Sequence, residues 1–144
     1  MLRLVVGVGS PHGADQVGWT VVDRLKVRRS NDAKYIKVAN PIDVLDYLGE
    51  YEELILVDAV HGLTANAIQC WTWPNEQIID EADGGSHGFG IVQVLELAGE
   101  LQLLPKRVMI IGIGVEQGRV SETWMLNQEA EIDAIVEEVE TLYA

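Results

Sequence analysis

The sequence predicts an α/β fold: a single domain, spanning residues 1–144, with an open, twisted, mostly parallel sheet of about five strands and helices on both faces. Three observations lead there. Short continuous apolar runs, such as LRLVVGV and LILV, fit strands buried on both faces of a parallel sheet. These runs alternate with segments of helical periodicity, the order that builds strand–helix–strand crossovers. The 144 residues, 48% of them hydrophobic, suffice for one core and carry no internal repeat, low-complexity tract or linker.

Each element has its own signal. Residues 2–8 form the first strand. Residues 15–27 read as a helix because Val17, Val21 and Leu25 recur at helical spacing. Residues 35–39 are a short second strand. Pro41 suits the first turn of a helix, which residues 42–48 carry. Residues 54–57 are a third buried strand, ending at Asp58. Residues 67–73 alternate and fit an edge strand. Residues 88–101 form a helix with Ile91, Val94, Leu95, Ala98 and Leu101 on one face, and Pro105 bars its continuation. Residues 108–113 are another buried strand. The last helix, residues 126–142, turns Ile132, Ile135, Val136, Val139 and Leu142 inward.

Composition excludes several function classes. Net charge is −13, so nucleic acid is not an expected partner, since phosphate binding needs a basic face. No apolar run reaches the roughly 18 residues of a membrane-spanning helix. The opening MLRLVVGVG is too short for a signal peptide, meets a glycine turn and lacks a small-residue cleavage site. It reads as the first strand of a cytoplasmic protein, acting as a monomer away from membranes. The one cysteine, Cys70, permits no intrachain disulfide and no Cys-rich zinc site. Its place in a strand without a positive neighbour fits a buried structural residue better than a nucleophile. Charge is uneven: seven of ten Lys and Arg lie in the first 37 positions, and the last 25 hold seven acids and no base. A solvated acidic helix with a basic loop accounts for this. A basic patch that docks an acidic stretch of a protein partner is the sharper alternative.

The segment GVGSPHGADQVGW follows the first strand and invites comparison with a phosphate cradle. Gly7 and Gly9 fit the dinucleotide pattern, but His12 holds the third glycine's place and Gly13 comes one residue late. The second strand ends Val38-Ala39-Asn40, without the acid that would bind a ribose. No Gly-Lys-Ser/Thr follows either, so a dinucleotide-binding module is the weaker alternative. In open α/β sheets, sites form at the carboxyl ends of strands, where strand order reverses. Asp15, Asp58 and His87, far apart in sequence, are all expected at that edge. Bland roles compete: Asp15 also fits a helix cap, a strand-ending Asp often bonds loop amides, and His87 fits a satisfied loop histidine. Ser86 reads as the cap of the helix after it, and His12 and His61 as loop residues near the same edge, suited to substrate contact.

Four blocks in order give the chain a family resemblance: GVGSPHGADQVGW, LILVDAVHG, GSHGFGIVQVLELA and LPKRVMIIGIGVEQG. It resembles the nickel-iron hydrogenase maturation endopeptidases, which trim the C-terminal tail from the hydrogenase large-subunit precursor. The likeness covers nearly the whole chain, and the Gly-Ser-Pro turn is similar to the subgroup serving bidirectional, NAD(P)-linked hydrogenases. The resemblance implies Asp15, Asp58 and His87 as the catalytic and metal-contacting trio. It also implies that the nickel comes with the precursor and that the protease has no resident organic cofactor. Ala14 stands where the family commonly has a first acid beside Asp15, and Gln16 follows. That departure keeps open a non-catalytic relative that only binds precursor or nickel. Imidazole and carboxylates suit nickel and would leave coordination positions for the precursor. Cleavage would then follow from a metal-polarised carbonyl or a metal-activated water, with Asp15 or Asp58 as a general base if not committed to the metal.

Overall fold

The computed structural model describes residues 2–9, 16–28, 33–61, 66–74, 90–115 and 129–143. Strands β1 (Arg3–Val8), β2 (Ala33–Val38), β3 (Glu53–His61), β4 (Ile68–Thr72) and β5 (Arg107–Val115) make one sheet in the order β2-β1-β3-β5-β4. β4 alone runs antiparallel, at the edge. Helices α1 (Gln16–Arg28), α2 (Ile91–Glu100) and α3 (Glu129–Tyr143) and a 3-10 helix (Pro41–Tyr47) complete the described elements.

Side chains alternate across the strands, so each strand feeds two cores. Val5, Ile55, Val57, Ile111 and Ile113 point to one face, where Val17, Val21 and Leu25 of α1 and Ile132, Val136 and Val139 of α3 cover them. Leu4, Val6, Leu54, Leu56, Val108 and Ile110 point to the other, beneath Val44 of the 3-10 helix and Val94 and Leu95 of α2. Burying each such side chain contributes about 1.5–3 kcal/mol, which is why the strand sequences are apolar at consecutive positions.

The structure alters several expectations. β3 does not stop at Asp58 but runs on to His61, because β5 continues to pair with it up to Val115. The helix opened by Pro41 is 3-10, seven residues long. Leu101 and Leu142 are exposed rather than inward, each lying at or past a helix end, and Tyr143 takes the buried place in α3. Cys70 is exposed, not buried: β4 is an edge strand, and there Trp71, not its neighbour, points into the core.

Part of the uneven charge pairs within the chain. Arg24 of α1 bonds Asp133 of α3 at 2.6 Å, and Arg28 approaches Glu140 at 3.9 Å. Lys37 meets Asp23 at 3.1 Å. The acids facing Arg24 and Arg28 belong to the protein's own last helix, and the one facing Lys37 belongs to α1. Exposed pairs of this kind contribute about 0–1 kcal/mol each, so they add little to stability.

Candidate functional site at the carboxyl edge of the sheet

β1 connects outward to β2 on one side, and β3 lies on its other side, so strand order reverses between β1 and β3. The crevice beyond the carboxyl ends of these two strands is where open α/β sheets place their ligands. β1 pairs with β3 as far as Gly7↔Val57. From Asp58 onward β3 pairs with β5 alone among the described residues, Asp58 opposite Gly112. Asp58 is therefore the first residue of β3 beyond the β1 ladder, half-buried at the reversal point. Its Oδ1 accepts a hydrogen bond from the backbone N–H of Ala59 at 2.8 Å. This is the amide-bonding role open to any strand-end aspartate, and it fixes the carboxylate's orientation without using up its acceptor capacity.

Two contacts set the connection that leaves β1. Gly7 and Gly18 lie back to back: a Cβ at Gly7 would stand 2.6 Å from the Gly18 carbonyl oxygen, and one at Gly18 would stand 2.6 Å from the oxygen of Val8. The missing side chains let α1 settle directly on β1 and β3. The Val38 carbonyl, at the end of β2, accepts from Gly9 N–H at 3.1 Å and from Trp19 Nε1 at 3.0 Å. One acceptor thus ties down both the exit of β1 and the first turns of α1. The glycines of GVG serve close helix–strand packing and this anchoring, roles that need no phosphate.

Of the three expected site residues, Asp58 alone falls among the described ones; Asp15 and His87 lie outside them, as do Ser86 and His12. In the chain, Asp15 immediately precedes Gln16, which opens α1. His87 comes three residues before Gly90, the residue at the start of α2. Strand alternation puts Asp58 on the α2 face, with Leu54 and Leu56. Gly90, not Ser86, occupies the N-cap position of α2 and makes no side-chain cap. His61 is the last residue of β3, paired with Val115, rather than a loop residue. Among the described residues no three His, Cys, Asp or Glu side chains come together as a metal site. Neighbouring protein partly desolvates the Cys70 thiol and pushes its pKa up, away from the reactive thiolate.

Sequence reasoning missed one feature beside Asp58. Gly112 is covered by Trp71, which reaches it from the edge strand β4, and a Cβ there would lie 2.8 Å from Trp71 Cζ3 and 2.6 Å from Val60 Cγ2. The only sequence trace of this is the glycine interrupting the apolar run of β5.

The fold and the reversal point define a doubly wound α/β protein with its candidate site at the β1/β3 crevice. No family model and no curated protein matches the sequence. Solved structures do resemble it. The hydrogenase maturating endopeptidase HybD from E. coli superposes with TM-score 0.71 at 20% identity, over 96% of this chain and 90% of that one. The [NiFe] hydrogenase maturation protease HybD from Thermococcus kodakarensis gives 0.71 at 19%, over 99% of each chain. The hydrogenase 2 maturation peptidase from Thaumarchaeota archaeon SCGC_AB-539-E09 gives 0.61 at 25%, over 99% of this chain and 98% of that one. The fold of this chain is thus the fold of those proteases across its length.

Proposed function

We propose that this chain is a hydrogenase maturation endopeptidase. It removes the C-terminal tail of a nickel-iron hydrogenase large-subunit precursor once nickel has been inserted. The observation that carries this reading is the place of Asp58 at the β1/β3 reversal, in a fold shared over almost the full length with named maturation proteases. The four sequence blocks that carry the resemblance support it. Asp15, Asp58 and His87 together would offer the nickel two carboxylates and an imidazole, a set that leaves positions for ligands of the precursor. Recognition is then a difference in binding: the metal-loaded precursor completes the coordination and the empty one does not. The metal, held as part of the substrate, polarises the scissile carbonyl or activates a water, and an uncommitted carboxylate takes the proton. The Gly-Ser-Pro turn points to a precursor of the bidirectional, NAD(P)-linked class.

Incubating the purified protein with nickel-loaded and nickel-free precursor, and following tail loss as a gel shift, tests the reading. Cleavage of the loaded precursor alone is expected. Equal cleavage of both would remove the nickel gate. Ala14, in place of a second acid, favours a second reading, a relative that binds the precursor without cutting it. Complex formation without tail release would establish that one.

A further inference from the structure

We infer that Trp71 is a positioning residue for Asp58, acting across the side-chain-free surface of Gly112. The inference rests on the reading of Asp58 as a site residue. On the α2 face, the row that crosses the sheet at Asp58 runs Asp58, Gly112, Gln69, from β3 through β5 to β4. Trp71 belongs to the row before it, opposite Ile110, yet its six-membered ring lies over Gly112. Val60, two residues past Asp58 on the same face of β3, closes on that spot from the other side. Asp58 therefore borders a notch in the sheet that Gly112 opens and that Trp71 and Val60 fill.

Trp71 is 4% exposed, and its Nε1–H has no hydrogen-bond partner among the described residues. An unsatisfied buried N–H is unfavourable, so hydrogen bonding inside the described protein does not account for an indole here. Reach does: an edge-strand side chain must extend sideways over β5 to meet the Asp58 row, and the indole is the longest rigid apolar group available. Packed interiors yield little, so a ring wedged against Gly112 and Val60 narrows the rotamers open to the neighbouring carboxylate. Asp58 keeps its hydrogen bond to the Ala59 amide in that narrowed setting.

The test compares Trp71→Leu, Trp71→Phe and Gly112→Ala with wild type, in melting temperature and in steady-state cleavage of nickel-loaded precursor. Asp58→Ala is the control for the underlying reading. Variants that melt cooperatively are expected to lose about tenfold or more in kcat, with KM within about twofold, because a small misplacement of a reacting group acts on the chemical step. Trp73→Leu, away from Gly112, is expected to keep kcat. A spectroscopic readout is independent of cleavage: with Trp71 as the sole tryptophan, Asp58→Asn should shift its emission. Unchanged kcat in a folded Trp71→Leu or Trp71→Phe, or an unmoved emission maximum, would overturn the inference. Full cleavage by Asp58→Ala would instead overturn the reading of the site.

Discussion

Replacing Gly18 with alanine separates two forces that act on α1 with opposite sign. Inside a helix, Gly→Ala gains about 1 kcal/mol of intrinsic propensity. At this position the new methyl would stand 2.6 Å from the Val8 oxygen and 2.8 Å from the Val57 oxygen. Both are main-chain atoms of sheet strands and cannot swing aside, so α1 must lift off. Overpacking of that kind costs about 3 kcal/mol, the upper part of its usual range. The net loss is about 2 kcal/mol, or about 4–8 °C in melting temperature for a chain of this length. Gly99, in α2, is the control: a methyl there meets only Leu104 Cδ1, at 3.3 Å, the end of a flexible side chain. Gly99→Ala should be neutral or stabilising by up to about 1 kcal/mol. Thermal and urea unfolding followed by circular dichroism measure both. A Gly18→Ala protein at least as stable as wild type would refute the close contact, and with it the placement of the α1 start against the reversal point.

Other perturbations have defined outcomes. Glu53 is buried and pairs with Arg3, whose guanidinium also lies 5.2 Å from the centre of the Tyr143 ring. Glu53→Ala leaves that cation without its carboxylate and should cost about 3 kcal/mol in urea unfolding, more than any surface pair removed alone. Burial, then the hydrogen bond to Tyr35, keeps Tyr143 protonated well above the ordinary phenol range. Its folded pKa exceeds its unfolded one, so its contribution is complete below about pH 10 and is lost as pH rises beyond that. Melting temperature should therefore fall above about pH 10, and less steeply in Tyr143→Phe. The raised pKa of the Cys70 thiol predicts slower reaction with a disulfide reagent at neutral pH than free cysteine shows. Cys70→Ser should leave cleavage unchanged.

The architecture was legible because β1, β3 and β5 are apolar at consecutive positions and each helix has one apolar stripe. Asp58 was legible as a strand-end acid for the same reason: it breaks the run LILV. That break also misled, since the strand continues through Asp58 to His61 on pairing supplied by β5. Backbone pairing leaves no trace in side-chain polarity. The exposure of Cys70 and the burial of Trp71 depend on which face of an edge strand is covered, and alternation alone assigns no face. The Arg3–Glu53 pair joins residues 50 apart in sequence through parallel register. The cover of Trp71 over Gly112 likewise exists only once β4 runs antiparallel beside β5.

The central claim is that Asp58, at the β1/β3 reversal, belongs to a cleaving site gated by the precursor's nickel. Intact mass of the nickel-loaded precursor, after incubation with wild type and with Asp58→Ala, tests it most directly. The account predicts loss of the C-terminal tail with wild type and an untrimmed precursor with Asp58→Ala. Equal trimming by a folded Asp58→Ala would contradict it.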